Sequence, residues 1–395
     1  MILFNLYGMK INLLLISSIL LVLSFLSLKE KEDIDQTVLW ERGTGEYNNY
    51  RIPALVVTNE GTLLAFCEGR EAGDTGDINI LLKRSEDNGV TWSYEQVVWD
   101  DAKNTCGNPC PVVDEETGRI WLFTSWNNGK DKESAIINKT SLSPRLPYVC
   151  YSDDDGKTWS KPVSLEETCR DPSWGWYATG PGIGIQSKNG AYKGRLVIPA
   201  NHSYDDPEGN LEGGPYGYGA HVIYSDDHGK SWQISESIKP GCNESQVTEL
   251  SDGTLLMNMR SYNNKQARAI SFSADGGQSW SEIEHDFQLV ESLCQAAVLN
   301  FGEAGGKRAH LFLNPAVPHG RDHLTLKVSL DDCRSWSNEK LVYEGPAAYS
   351  CITRLPDGRV GLFFEGGEKR PYEKMIFVSF DWDEIFLPGP VLQGL

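Results

Sequence analysis

An all-β fold, a six-bladed β-propeller of antiparallel four-stranded blades, is what this sequence predicts, and three observations carry that prediction. The 395 residues include 39 Gly, 12 Trp and 16 Tyr, with many short β-branched or aromatic runs between turn signals and no long amphipathic helix. A motif S-x-D-x-G-x-T/S-W returns at Ser85 to Trp92, Ser152 to Trp159, Ser225 to Trp232 and Ser273 to Trp280, and in degenerate form at Ser329 to Trp336, where Cys333 replaces the Gly. Interleaved with these copies are six segments that read as strand, polar Gly turn and returning strand.

Taken in order, the hairpins are Ile52 to Glu68, Cys110 to Thr124, Gly182 to Ala200, Gln246 to Asn258, Ala296 to Asn314 and Cys351 to Glu365. A motif copy follows each of the first five. Its Asp accepts backbone N–H bonds, its Gly permits φ > 0 and its Trp packs under the turn, so the copy joins a second pair of strands. Hairpin plus second pair makes a four-stranded blade, and a ring of blades leaves no long exposed edge. The sixth blade lacks the motif; Met375 to Phe380 is its expected outer strand, with Thr37 to Glu41 closing the ring, so one domain spans 37–390. The Asp clusters at 153–155 and 226–227 lack the regular alternation and terminal Glu of a calcium loop, and no metal is expected there.

Ile11 to Leu28 is a nearly unbroken apolar run after Lys10 and before K-E-K-E-D. It reads as a secretory signal within residues 1–28, or as an uncleaved N-terminal anchor, since its length is near the lower limit for spanning a bilayer. Either implies export, to the periplasm, the cell surface or the medium. The net charge of −19, with no basic run, excludes a nucleic-acid partner and suits a soluble acidic monomer. Nine cysteines leave at least one unpaired; Cys106 and Cys110 in C-G-N-P-C are close enough in sequence to bridge, whereas Cys67 reads as a small buried hydrophobe. Sequons stand at Asn138, Asn201 and Asn243.

In an antiparallel hairpin the start of strand one and the end of strand two share an end. That rule places Arg51 and Arg70 from the first hairpin, Glu244 and Arg260 from the fourth, Arg321 after the fifth, and Tyr349 and Glu365 from the sixth at one edge, with the motif turns at the other. Arg51, Arg260 and Arg321 could there converge on one carboxylate through planar forks, or each could pair with a neighbouring acid at the surface. His319 and His323 flank Arg321 at i,i+4, but in loop running into strand and without an acidic base, so zinc is not expected.

Y-R-I-P at 50–53, E-G-R at 68–70, G-D-T-G-D-I at 73–78, N-E-S-Q at 243–246, N-M-R at 258–260, Arg321, and Tyr349 followed by F-F-E at 363–365, together with the repeated motif known as the Asp box, resemble the exo-α-sialidases (neuraminidases) of bacterial and animal type. The resemblance covers essentially everything after the apolar run and leaves no segment for a separate lectin domain. It implies that Arg51, Arg260 and Arg321 bind the carboxylate of sialic acid, that Glu365 orients Arg51, that Arg70 lines the pocket, and that Tyr349 is the nucleophile with Glu244 as its partner. Asp74 matches the acid/base, with Asp77 as the near alternative. Sialidases are the tyrosine exception among retaining glycosidases. The resemblance implies no cofactor, and sialylated glycans, glycoproteins or glycolipids as partners; a non-catalytic sialoglycan-binding propeller, or a trans- or intramolecular trans-sialidase, would use the same arginines. The aromatics of W-G-W-Y-A-T-G at 174–180 either rim the pocket or pack within the fold, and Asn108 and Asn201 are further candidates by position.

Overall fold

Strand Leu63–Arg70 is buried at every position and Cys242–Glu249 likewise, as expected of strands covered on both faces. The computed structural model of the chain describes residues 35–207 and 216–387; the apolar run proposed as signal or anchor lies outside them. No helix among the described residues is long and apolar enough to cross a membrane.

The described strands form six consecutive antiparallel units within Asp35–Leu395. The first holds Asn49–Val57, Leu63–Arg70, Ile78–Ser85 and Gln96–Trp99. The second holds Thr105–Val113, Ile120–Asn127, Leu146–Ser152 and Val163–Ser164. In the third, Leu196–Asp205 pairs on one side with two short pieces, Tyr177–Thr179 and Ile185–Gln186, and on the other with Tyr216–Ser225, which leads to Gln233–Ile234. Gly180, Pro181 and Gly182 lie between the two pieces. Pro181 has no N–H to give a ladder, so the inner strand breaks there.

The fourth unit holds Cys242–Glu249, Leu255–Ser261, Ala267–Ser273 and Glu284–Val290. The fifth holds Ala297–Ala304, Lys307–Pro315, Asp322–Ser329 and the first half of Asn338–Arg354. The rest of that 17-residue strand opens the sixth, followed by Val360–Gly366, Lys374–Phe380 and, from the other end of the chain, Asp35–Glu41.

The repeated motif is a turn, as its composition requires. In the first copy Asp87 accepts from Thr91 N at 2.8 Å, Gly89 N donates to Ser85 Oγ at 2.9 Å, and Gly89 sits at φ +89°. In the degenerate copy Cys333 adopts φ +61° and its N–H makes the same bond to Ser329. The tryptophans pack across units: Trp92 of the first meets Phe377 of the sixth at 5.2 Å, Trp159 of the second meets Phe66 of the first at 5.7 Å, and Trp232 of the third meets Phe123 of the second at 4.7 Å.

One expectation is corrected here. Cys106 and Cys110 are not bridged; all nine cysteines are free and buried. Their strand carries a bulge between Gly107 and Cys110, where three steps on one strand oppose two on the other. The extra residue flips side-chain parity, so Cys106 packs into the core of the first and sixth units and Cys110 into that of the second and third. Of the sequons, Asn201 and Asn243 are buried in the sheet edges, so neither offers its amide for glycosylation in the folded chain.

Candidate active site

The same one-residue bulge recurs at the same end of four inner strands. It lies between Arg51 and Ala54, Gly107 and Cys110, Cys242 and Ser245, and Ala347 and Ser350. A bulge bends the strand and re-aims a side chain, and these four contain or abut Arg51, Asn108, Glu244 and Tyr349. Within the first, Ile52 is held at φ +63°, a strained setting for a β-branched residue.

Glu365 forms the floor. Fully buried, it accepts from Arg51 Nε at 2.9 Å and Nη2 at 3.1 Å, from Ile52 N at 2.8 Å and from Tyr349 N at 3.2 Å. One carboxylate thus fixes a bidentate guanidinium and two bulged backbones. Beside it, the Tyr349 hydroxyl donates to Glu244 Oε1 at 2.5 Å, and Arg260 Nη1 donates to Glu244 Oε2 at 2.9 Å and to Tyr349 Oη at 3.4 Å. Burial first, then the Glu244 charge, push the Tyr349 phenol well above its ordinary 10, against the pull of Arg260 and Arg321. The phenol is therefore protonated at neutral pH, with a carboxylate already on its proton.

Arg321 donates to the Leu293 carbonyl at 2.9 Å and to Tyr372 Oη at 2.8 Å, with its guanidinium 5.5 Å from the Tyr349 ring centre. Arg51 stacks on the Tyr372 ring at 4.1 Å. At the rim, Arg70 binds Glu68 through Nε at 2.6 Å and Asp74 through Nη1 at 2.5 Å, and Arg51 reaches Asp74 at 3.4 Å. The Asp74 side chain is 77% exposed. Desolvation would raise its carboxyl, but Arg70, then Arg51 and Arg321, hold it below the usual range. Such a pocket can clamp a carboxylate with three cations, present a phenol activated by a base, and offer an exposed acid at its mouth.

Residues 61–362 match the family model described as a BNR repeat-like domain. A sialidase of Micromonospora viridifaciens is 34% identical over 340 residues, covering 82% of this chain and 51% of that protein. An exo-alpha-sialidase of Aspergillus fumigatus is 30% identical over 378 residues, covering 87% of this chain and 86% of its own length. The chain belongs to the sialidase family. Among solved structures, a Hadza microbial sialidase superposes with a TM-score of 0.75 at 31% identity, over 86% of this chain and 66% of that one. The chain thus spans about half the length of the Micromonospora sialidase and about two thirds of the Hadza one.

Of the residues that the sialidase resemblance singles out, Arg51, Arg70, Asp74, Glu244, Arg260, Arg321, Tyr349 and Glu365 come together. Asp77 does not join them: its carboxylate accepts from Asn79 at 3.4 Å, and desolvation and Asp100 raise it. Asn108 lies one layer out, its backbone N–H donating to Glu68 at 2.6 Å and its side-chain Oδ1 accepting from buried Arg145 at 2.6 Å. Asn201 is buried and turned onto the Ala178 carbonyl at 3.3 Å. In the aromatic run, Trp174 stacks on His202 at 3.6 Å and Tyr177 is fully buried, so both pack within the fold; only Trp176 covers Arg145, at 4.5 Å. His323 pairs with Asp322, and His319 faces Gln266. Among the described residues no cluster of three or more His, Cys, Asp or Glu could hold a metal.

Tyr372 and Arg145 were not singled out from the sequence. For Tyr372 a signal existed: the loop between Glu365 and Lys374 joins strands two and three, which places it at the same edge as Arg51. Arg145 sits at the mouth of a long insertion with no local motif.

Proposed function

We propose that this chain is an exo-α-sialidase, a glycoside hydrolase that releases terminal α-linked sialic acid from glycans, glycoproteins or glycolipids with retention of configuration. The observation that carries this reading is the 2.5 Å bond from the Tyr349 hydroxyl to Glu244, set among Arg51, Arg260 and Arg321. Sialic acid bears its carboxylate on the anomeric carbon. A carboxylate nucleophile would meet a like charge there, whereas a phenol would not.

In the first step Tyr349 Oη bonds to the anomeric carbon as the glycosidic C–O bond breaks. Its proton passes to Glu244, and Asp74 gives a proton to the leaving oxygen. In the second step Asp74 takes a proton from water, which attacks the anomeric carbon as the bond from that carbon to Tyr349 Oη breaks, and Glu244 returns its proton to the departing phenolate. The three arginines hold the substrate carboxylate throughout.

A six-bladed propeller is the architecture that fits this reading. The motif tryptophans of the first, second, third and fifth units pack on the preceding unit, with Trp92 of the first reaching the sixth and Trp336 of the fifth the fourth, and Asp35–Glu41 pairs with Lys374–Phe380, as closure of a ring would require. We also propose export on the strength of Ile11 to Leu28, and a monomer. The test is release of a fluorogenic α-sialoside by wild type and by Tyr349→Phe. Wild type should turn over and the variant should lose at least about a thousandfold while still binding. Absence of turnover with binding intact would make the chain a sialoglycan-binding module, an inverted first product by NMR would refute retention, and an anhydro product would point to intramolecular transfer.

A further inference from the structure

We propose that the buried pair Arg268–Glu291 is the device that aims Arg321 at the substrate carboxylate, a positioning role that rests on the sialidase reading of the pocket. Two of the three arginines have their own carboxylate: Arg51 has Glu365 and Arg260 has Glu244. Among the described residues Arg321 forms no ion pair. It is held by neutral acceptors alone, the Leu293 carbonyl at 2.9 Å and the Tyr372 hydroxyl at 2.8 Å. This keeps its charge uncompensated for a ligand, but a carbonyl can orient a guanidinium only if its own turn is fixed.

Leu293 does not fix that turn by packing. It is 42% exposed and sits at φ +53°, where a leucine is strained. The residues on either side are pinned instead. Glu291 Oε1 accepts from Cys294 N at 3.2 Å, and Arg268 Nη1 donates to the Cys294 carbonyl at 2.9 Å and to Glu291 Oε2 at 2.8 Å. Arg268 Nε donates to Asn258 Oδ1 at 2.8 Å, and Ser261 N donates to Glu291 Oε2 at 2.9 Å, which ties the assembly to a strand of the fourth unit. Arg268 is completely buried and the Glu291 side chain is 3% exposed.

Desolvating both charges is costly, and an apolar pair of similar volume commonly serves stability as well. What an apolar pair does not supply is a grip on both sides of Leu293. The charge that would have quenched Arg321 had it stood beside it is thus moved one step back, where it sets geometry without neutralising the pocket. Glu291 and Arg268 touch no substrate in this arrangement; their effect runs through Arg321.

The experiment compares wild type, Glu291→Gln and the double variant Arg268→Met/Glu291→Leu, whose apolar pair preserves the fold when a single change does not, each checked by thermal melting. On a fluorogenic α-sialoside, KM should rise about tenfold or more, the size of a misaligned charge-assisted bond, with kcat within about threefold and its pH profile unmoved. In an Arg321→Ala background the same changes should add less than about twofold, because the residue they act through is gone. An unchanged KM in a variant that melts like wild type, or an undiminished effect in the Arg321→Ala background, overturns the proposal. If wild type neither cleaves nor binds sialosides, the sialidase reading falls and this inference with it; wild-type turnover with unaltered variants sinks this inference alone.

Discussion

Substituting Glu365 by Gln keeps the shape of the pocket floor and removes its charge. The carboxylate accepts four bonds, from Arg51 Nε, Arg51 Nη2, Ile52 N and Tyr349 N. A glutamine brings one accepting oxygen and an NH2 group. With the oxygen serving Arg51 Nε and Ile52 N, the NH2 faces two donors, Arg51 Nη2 and Tyr349 N. Breaking one side of a buried ion pair costs about 3–5 kcal/mol, and the lost neutral bond adds about 1 kcal/mol. The Arg51 side chain is 13% exposed, which allows some relief by solvent, so a net loss of about 3–4 kcal/mol is expected. Urea unfolding at pH 7 should show the midpoint falling with the slope unchanged, and KM for a sialoside should rise because Arg51 is no longer aimed. A loss below about 1 kcal/mol would refute the reasoning, since Arg51 and the strained Ile52 would then be held by something else.

Arg70→Gln removes the largest of the cationic influences that hold the Asp74 carboxyl low. Loss of a cation favours the protonated form, so the acid stays protonated to higher pH and the alkaline limb of kcat/KM should move upward; a downward shift or none would count against Asp74 as the acid. The buried imidazoles make a second pH prediction. His221 bonds Tyr177 at 3.1 Å and His202 at 3.0 Å, and burial pushes it down to about 3, while burial, His221 and Lys239 push His202 well down. The unfolded chain takes up protons below about 6.5 where the native one does not, so stability is full above that pH and falls as pH drops, for His221 alone by about 2 kcal/mol at pH 5. Urea midpoints at pH 7 and pH 5 should diverge less in His221→Gln than in wild type; equal drops would exclude the imidazole as the cause.

The main architecture was legible because it rests on periodic signals. Six hairpins and five motif turns are visible as spacing, and the strand-end rule then gathers Arg51, Arg260, Arg321, Glu244 and Tyr349 without knowledge of any contact. Bulges are not visible that way. One extra residue between Gly107 and Cys110 leaves no mark in composition, yet it separates Cys106 from Cys110 into two cores. The choice between Asp74 and Asp77 was likewise open in a Gly-rich loop, and the geometry brings only Asp74 to the arginines. Arg268 and Glu291 stand 23 residues apart with no motif around either, so their pairing emerges only from three dimensions. In W-G-W-Y the aromatic content was plain, but which ring faces out depends on Trp174 finding His202 from the next strand.

The nine unbridged thiols have a practical consequence. Burial pushes them upward, to about 11 for Cys169 and Cys294 and about 12 for Cys150, Cys242 and Cys351, so native thiolate is scarce and inaccessible at neutral pH. An alkylating reagent therefore reads opening rather than exposure. Cys67 lies in the first unit, Cys110 in the second, Cys169 against the third, Cys242 in the fourth, Cys333 in the fifth and Cys351 in the sixth. Timed alkylation followed by peptide mass mapping would turn the sequence's own cysteines into six clocks, one per antiparallel unit, and the order in which they start would reveal where the fold first comes apart.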